Sequence, residues 1–176
     1  MTTPWMTGGA VILCGVASWT DLRSRRIPNA LTIPALVAAL CVHSALGAGQ
    51  GLLLSACGAL AAGALLLPGY LFRFTGAGDV KLLMAVGAIL SFPMALLAGL
   101  AALIFGGLLG VVTALRLGRL REMLGRTAGL ARWAATRAAG VPVAAPETSR
   151  IYIPFGVAIA LATVTLALVP RLGGAQ

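Results

Sequence analysis

Gly76-Ala77-Gly78-Asp79-Val80-Lys81 interrupts two long apolar runs with a glycine hinge, a carboxylate and an ammonium group. A second stretch, Asp21-Leu22-Arg23-Ser24-Arg25-Arg26-Ile27-Pro28-Asn29, breaks the first two apolar runs in the same way. The 176-residue chain carries only four acidic residues, so the placement of two of them at such breaks is informative. The apolar runs on either side decide the fold class. Hydrophobic residues make up 60% of the chain and charged residues 10%, more apolar surface than a soluble domain of this length can bury.

Crossing the hydrocarbon as a helix takes about 20 apolar residues. The sequence therefore predicts an all-α, polytopic membrane protein, a single integral-membrane domain over 1–176. Six spans are expected, at 5–20, 28–46, 52–72, 79–90, 94–115 and 151–169. Pro28 suits the first turn of its helix, where a missing N–H costs nothing. Gly47 to Gly51 and Ser91-Phe92-Pro93 read as uncharged turns, and Pro170 with Gly173-Gly174 as the end of the last span. Trp5 and Trp19 suit the two interfaces of the first span, and Tyr70, Phe72 and Phe74 form an aromatic cluster at the end of the third.

Net charge is +9, and twelve of the thirteen cationic residues fall in alternate breaks, with Arg171 alone on the other side. By the positive-inside rule that side is cytoplasmic and both termini lie outside. All four acids, Asp21, Asp79, Glu122 and Glu147, share it. Positive charge follows the first apolar run, so a retained span is expected there and not a cleaved signal peptide. The arginines suit anionic headgroups, with membrane lipids as partners. Nucleic-acid binding is the weaker reading, since no basic face is interleaved with exposed aromatics.

The section 116–150 holds seven arginines. Leu117, Leu120, Met123, Leu124, Leu130, Ala131 and Trp133 recur in it at partly helical spacing. This predicts a basic amphipathic cytoplasmic helix before the last span, with a solvated linker as the alternative given Gly118, Gly125 and Gly129. Glu122 and Glu147 read as solvated loop charges. Cys14, Cys41 and Cys57 occupy different apolar runs without metal-site spacing and read as small buried packing residues. No metal or cofactor is expected. His43 falls toward the outer end of the second span as a packed or interfacial residue, and Gly106-Gly107-Leu108-Leu109-Gly110 offers a close helix contact.

Carboxylates at a lipid boundary are functional candidates, because they are expensive to keep there. Two that approach closely share one proton, so that one activates water while the other hydrogen-bonds a scissile carbonyl. Gly76 and Gly78 permit close substrate approach and leave backbone groups for an extended strand. Leu82, Leu83 and Val86 share a helix face with Asp79, whereas Lys81 points away as a snorkelling anchor or substrate-side charge. Bland readings stand beside these: Asp79 as a helix N-cap, Asp21 paired locally with Arg25, and Asn29 as structural, or else hydrogen-bonded to a catalytic carboxyl.

The two breaks resemble the signature motifs of prepilin peptidases, the type IV leader peptidases of the GxGD aspartyl protease group. Tyr152-Ile-Pro-Phe-Gly-Val-Ala-Ile159 is similar to their C-terminal motif. The resemblance implies that Asp21 and Asp79 are the catalytic pair, with Gly76 and Gly78 shaping substrate approach. It implies cleavage of a basic leader from pilin-like precursors at the cytoplasmic face of the bacterial inner membrane. Only seven residues separate the first two spans, without the paired cysteines of longer members, so the chain resembles the short form linked to tight-adherence pili. Two other readings remain open: a presenilin-like GxGD protease cutting within a span, and a non-enzymatic transporter or secretion-assembly subunit.

Overall fold

The computed structural model describes residues 4–71, 75–121, 124–125, 128–129, 132–133, 136 and 155–173. Every regular element among the described residues is helical, as the composition requires. The helices are α1 (Pro4–Ser24), α2 (Asn29–Leu71), α3 (Ala77–Leu90), α4 (Met94–Arg116) and α5 (Phe155–Gly173). Contacts divide the chain into two units, Met1–Gly106 with Pro154–Gln176, and Gly107–Ile153.

In the first unit the expected turn at 47–51 is a sharp break inside α2. Ala48 adopts φ 48° and ψ −138°, outside helical geometry. In a straight helix residues 43 and 51 would lie about 12 Å apart along the axis. Here a methyl group on Gly51 would collide with the His43 carbonyl oxygen, so the chain doubles back into two arms, 29–47 and 49–71.

Helix α3 lies against both arms. Lys81 Nζ donates to Asn29 Oδ1 at 2.9 Å and Ser91 Oγ meets His43 Nε2 at 2.6 Å, so α3 runs parallel to the first arm. Ser55 Oγ donates to the Ala88 carbonyl at 2.8 Å, and the Phe92 N–H to that of Leu54 at 3.0 Å, so it runs antiparallel to the second. Gly58 and Gly87 bring the two backbones together: a methyl on Gly58 would strike the Gly87 carbonyl oxygen, and one on Gly87 would sit 2.7 Å from Ala62 Cβ. Small residues at such a crossing let helices gain dispersion contacts where water gives no hydrophobic drive.

Helix α5 runs antiparallel to α1. Thr163 Oγ1 donates its hydrogen to the Ile159 carbonyl, which leaves the Cys14 thiol to donate to Thr163 Oγ1 at 3.5 Å. Ser18 Oγ donates to the Gly156 carbonyl at 3.0 Å. Between the helices sits a core of Ala17, Leu66, Leu82, Leu83, Val86 and Ile159, joined by Ala95, Ala98 and Ala102 of α4. Gly106 of α4 packs against the Phe155 ring, the close helix contact expected of that glycine segment, whereas Gly107 faces open space.

Ile12, Trp19, Ile33, Leu60 and Ile104 are exposed, part of an apolar exterior larger than soluble proteins carry. Helices α2 and α4 are long and apolar enough to cross a membrane. The expected count of six spans is not reproduced by helix length. With 14 residues α3 is about 21 Å long, short of the ~30 Å hydrocarbon layer. Trp5 and Trp19 are exposed at opposite ends of α1. Cys14 is buried as expected, but Cys41 and Cys57 are exposed on the outer faces of α2. Pro170 does not end the last helix, which continues to Gly173. Tyr70 is exposed, while Phe72, Phe74 and residues 151–154 lie outside the described residues.

In the second unit the described residues between 120 and 136 are helical, and Leu117 and Leu124 are exposed. Thr136 Oγ1 donates to the Trp133 carbonyl at 2.9 Å. Met123, Leu130 and Ala131, on which the amphipathic reading also rests, lie outside the described residues, as do Glu122 and Glu147.

Candidate active site

Asp79 sits in the first turn of α3, whose N-cap is Gly76. The N-cap reading of Asp79 is thus displaced by three positions. Its Oδ2 accepts the Gly76 N–H at 3.0 Å, the side-chain half of a capping box, which fixes the carboxyl rotamer. Gly76 can cap without a side chain because its extended backbone (φ −82°, ψ 156°) turns its carbonyl onto the Asp79 N–H at 3.1 Å. Leu82, Leu83 and Val86 continue the Asp79 face into the core, and Lys81 is exposed on the other side, as helical periodicity dictates.

Asp21 lies in the last turns of α1, on the face that also buries Cys14 and Ala17. The antiparallel α5 brings its first turn to this carboxyl. A methyl on Gly156 would stand 3.2 Å from Asp21 Oδ2 and 3.4 Å from its Cβ, closer than most side-chain contacts. After α1 the chain turns through Arg25 at φ 52° and sets Ile27 against α3, where a methyl on Gly78 would lie 3.1 Å from Ile27 Cβ. The two breaks therefore pack on each other.

Asp21 and Asp79 are 5% and 9% exposed. Two ionisable side chains from motifs far apart in sequence are held at one end of the same bundle, in surroundings that screen charge poorly. Asn29 is exposed, and its Oδ1 accepts from Lys81 Nζ at 2.9 Å. Lys81 is exposed and reaches Asn29, not the Asp79 carboxyl.

His43 is at the opposite end of the bundle. Its Nδ1 lies 3.0 Å from the Ala39 carbonyl, which only accepts, so the ring hydrogen is there and Nε2 accepts the Ser91 hydroxyl. Beside it, Trp5, Met6, Leu13, Ala38, Ala39 and Ile89 line an apolar cavity of about 220 Å³.

Sequence reasoning did not assign roles to Gly156, Ile27 or the Lys81–Asn29 pair. Gly156 stood within the Tyr152 to Ile159 motif, and the adjacent Pro28-Asn29 gave the only hint of a contact at the start of α2. Thr32, buried one turn beyond Asn29 with no hydrogen-bond partner for its hydroxyl among the described residues, carried no sequence signal.

Comparison with curated proteins and with solved structures gave no match. The profile of the type IV leader peptidase family matches residues 9–111, a stretch that includes both aspartate breaks and the helices that place them. The match covers more than half of the chain, and the chain belongs to the type IV leader peptidase family.

Proposed function

We propose that this protein is an aspartic endopeptidase in which Asp21 and Asp79 form the catalytic pair and Gly76 and Gly78 shape substrate approach. The observation that carries the reading is the burial of both carboxyls at one end of a single bundle, where the two breaks pack on each other through Ile27 and Gly78. Close carboxyls cannot both ionise readily, so the pair holds one proton over a wide pH range. The ionised member takes a proton from water as the oxygen attacks the scissile carbonyl. The protonated member hydrogen-bonds the carbonyl oxygen as negative charge develops there, and a proton passes to the leaving amine as the C–N bond breaks.

Membership of the family supports a prepilin-like substrate, cut where its basic leader meets its hydrophobic segment. The distribution of cationic residues supports six crossings, with the arms of α2 as separate spans and the aspartates on the cytoplasmic side of a bacterial inner membrane. Both aspartates sit at helix ends, which argues against a mid-membrane proton relay.

Co-reconstitution of the protein with a purified prepilin-like precursor, with mass analysis of the products, tests the reading. Cleavage before the hydrophobic segment supports it. A cut within that segment would favour a presenilin-like protease, and an intact precursor would favour the transporter or assembly subunit.

A further inference from the structure

We propose that the Lys81–Asn29 hydrogen bond is a brace that sets the separation of Asp21 and Asp79, making both residues positioning residues for cleavage. The inference rests on the catalytic reading of the two aspartates. Each break contributes one member: Asn29 opens α2 directly after the segment that carries Asp21, and Lys81 lies two residues beyond Asp79. The 2.9 Å bond links positions 52 apart in sequence and presses the break onto α3, where Ile27 rests on Gly78.

Two helical positions correspond to about 200° of rotation, so Asp79 and Lys81 are nearly opposite spokes of one wheel. Fixing one spoke fixes the other. The far end of α3 is pinned by Ser55, His43 and the Gly58–Gly87 crossing, while its first turn depends on Lys81 for a side-chain tie to α2. A carboxyl sits about 5–6 Å from the helix axis, and turning α3 by 20° would move it by about 2 Å. Misplacement by about 1 Å can cost 100-fold in rate.

The charged groups that border the pair are few. Among the described residues of the two breaks they are Asp21 itself, Arg23, Arg25 and Arg26, and Lys81; α2 carries no Asp, Glu, Lys or Arg, and α5 none before Arg171. Asn29→Ala breaks the brace while leaving every one of these charges in place. It is the cleaner variant.

In reconstituted enzyme, Asn29→Ala and Lys81→Met are each expected to lower kcat by about 10–100-fold with little change in KM, and the double variant to be no slower than the slower single one. Asn29→Asp, which can still accept from Lys81, should recover most of the rate. The pH–rate profile of Asn29→Ala should narrow, because carboxyls held farther apart influence each other less. A double variant whose losses multiply, an Asn29→Asp enzyme as slow as Asn29→Ala, or an Asn29→Ala profile superimposable on that of the wild type would overturn the brace. An activity-independent measurement separates its failure from that of the peptidase reading. With the native cysteines replaced, bridging of Asp21→Cys to Asp79→Cys by a short thiol reagent should slow when Asn29→Ala is added. Slowed bridging in a protein that never cleaves precursor would keep the brace and refute the peptidase; unchanged bridging would refute the brace.

Discussion

The two ends of α3 are each tied to the first arm of α2 by one side-chain hydrogen bond, yet they are built on opposite principles. At the Ser91 end the polar groups satisfy one another: histidine donates to a backbone carbonyl, serine donates to histidine, and the last turn closes through the Ser91 N–H on the Gly87 carbonyl at 2.9 Å. At the Asp79 end two carboxyls are buried together, and the tie between Lys81 and Asn29 reaches neither. Burying an acid is costly, so one end is arranged for folding while the other holds two costly groups, the kind of placement that marks a candidate functional site.

The largest effect expected from breaking this asymmetry is on cleavage. Asp21→Asn and Asp79→Asn should each abolish turnover of a reconstituted precursor, and the double variant should be no worse, because the residues act as a unit. Thermal unfolding in detergent should show both variants folded, which makes the loss one of chemistry. Full activity in either would remove the catalytic assignment.

Next is a change at the crossing that holds the Ser91 end. Gly87→Val would force side-chain carbon onto the Gly58 carbonyl oxygen and Ala62, with destabilisation of about 1–3 kcal/mol or more by denaturant titration. A variant as stable as the wild type would show that the backbones do not approach there.

Gly156→Ala sharpens the contrast at the Asp79 end. Its methyl would crowd Asp21 without disturbing the core, so kcat should fall several-fold at unchanged melting temperature. The smallest effect belongs to Ser91→Ala, which should lower stability by about 0.5–1.5 kcal/mol and leave cleavage by the folded enzyme unchanged. A large loss of activity in Ser91→Ala would mean that the ends are not independent.

The helical class and the two aspartate breaks were legible because both depend on local properties, apolar run length and the rarity of acidic residues. So was the division of the Asp79 helix into a buried face and an exposed Lys81. The reversal at Ala48 was legible in place, from its uncharged glycines, but not in form, since a single left-handed residue replaces the loop. Long-range pairings were not legible. Nothing near Gly58 announces Gly87, and Gly156 meets Asp21 only because α5 runs antiparallel to α1, a fact of topology. Cys41 and Cys57 went wrong for a related reason: where lipid is the solvent, an apolar residue has no reason to face inward, so hydrophobicity ceases to report burial.

The most direct test of the central claim is proximity of the two carboxyl positions in the membrane. After replacement of Cys14, Cys41 and Cys57, the Asp21→Cys, Asp79→Cys protein is treated in native membranes with a short bifunctional thiol reagent, beside an Asp21→Cys, Ser91→Cys control. Rapid bridging of the aspartate positions with none in the control is the predicted result. Failure of the first pair to bridge, under conditions where both cysteines react with a monofunctional label, would contradict it.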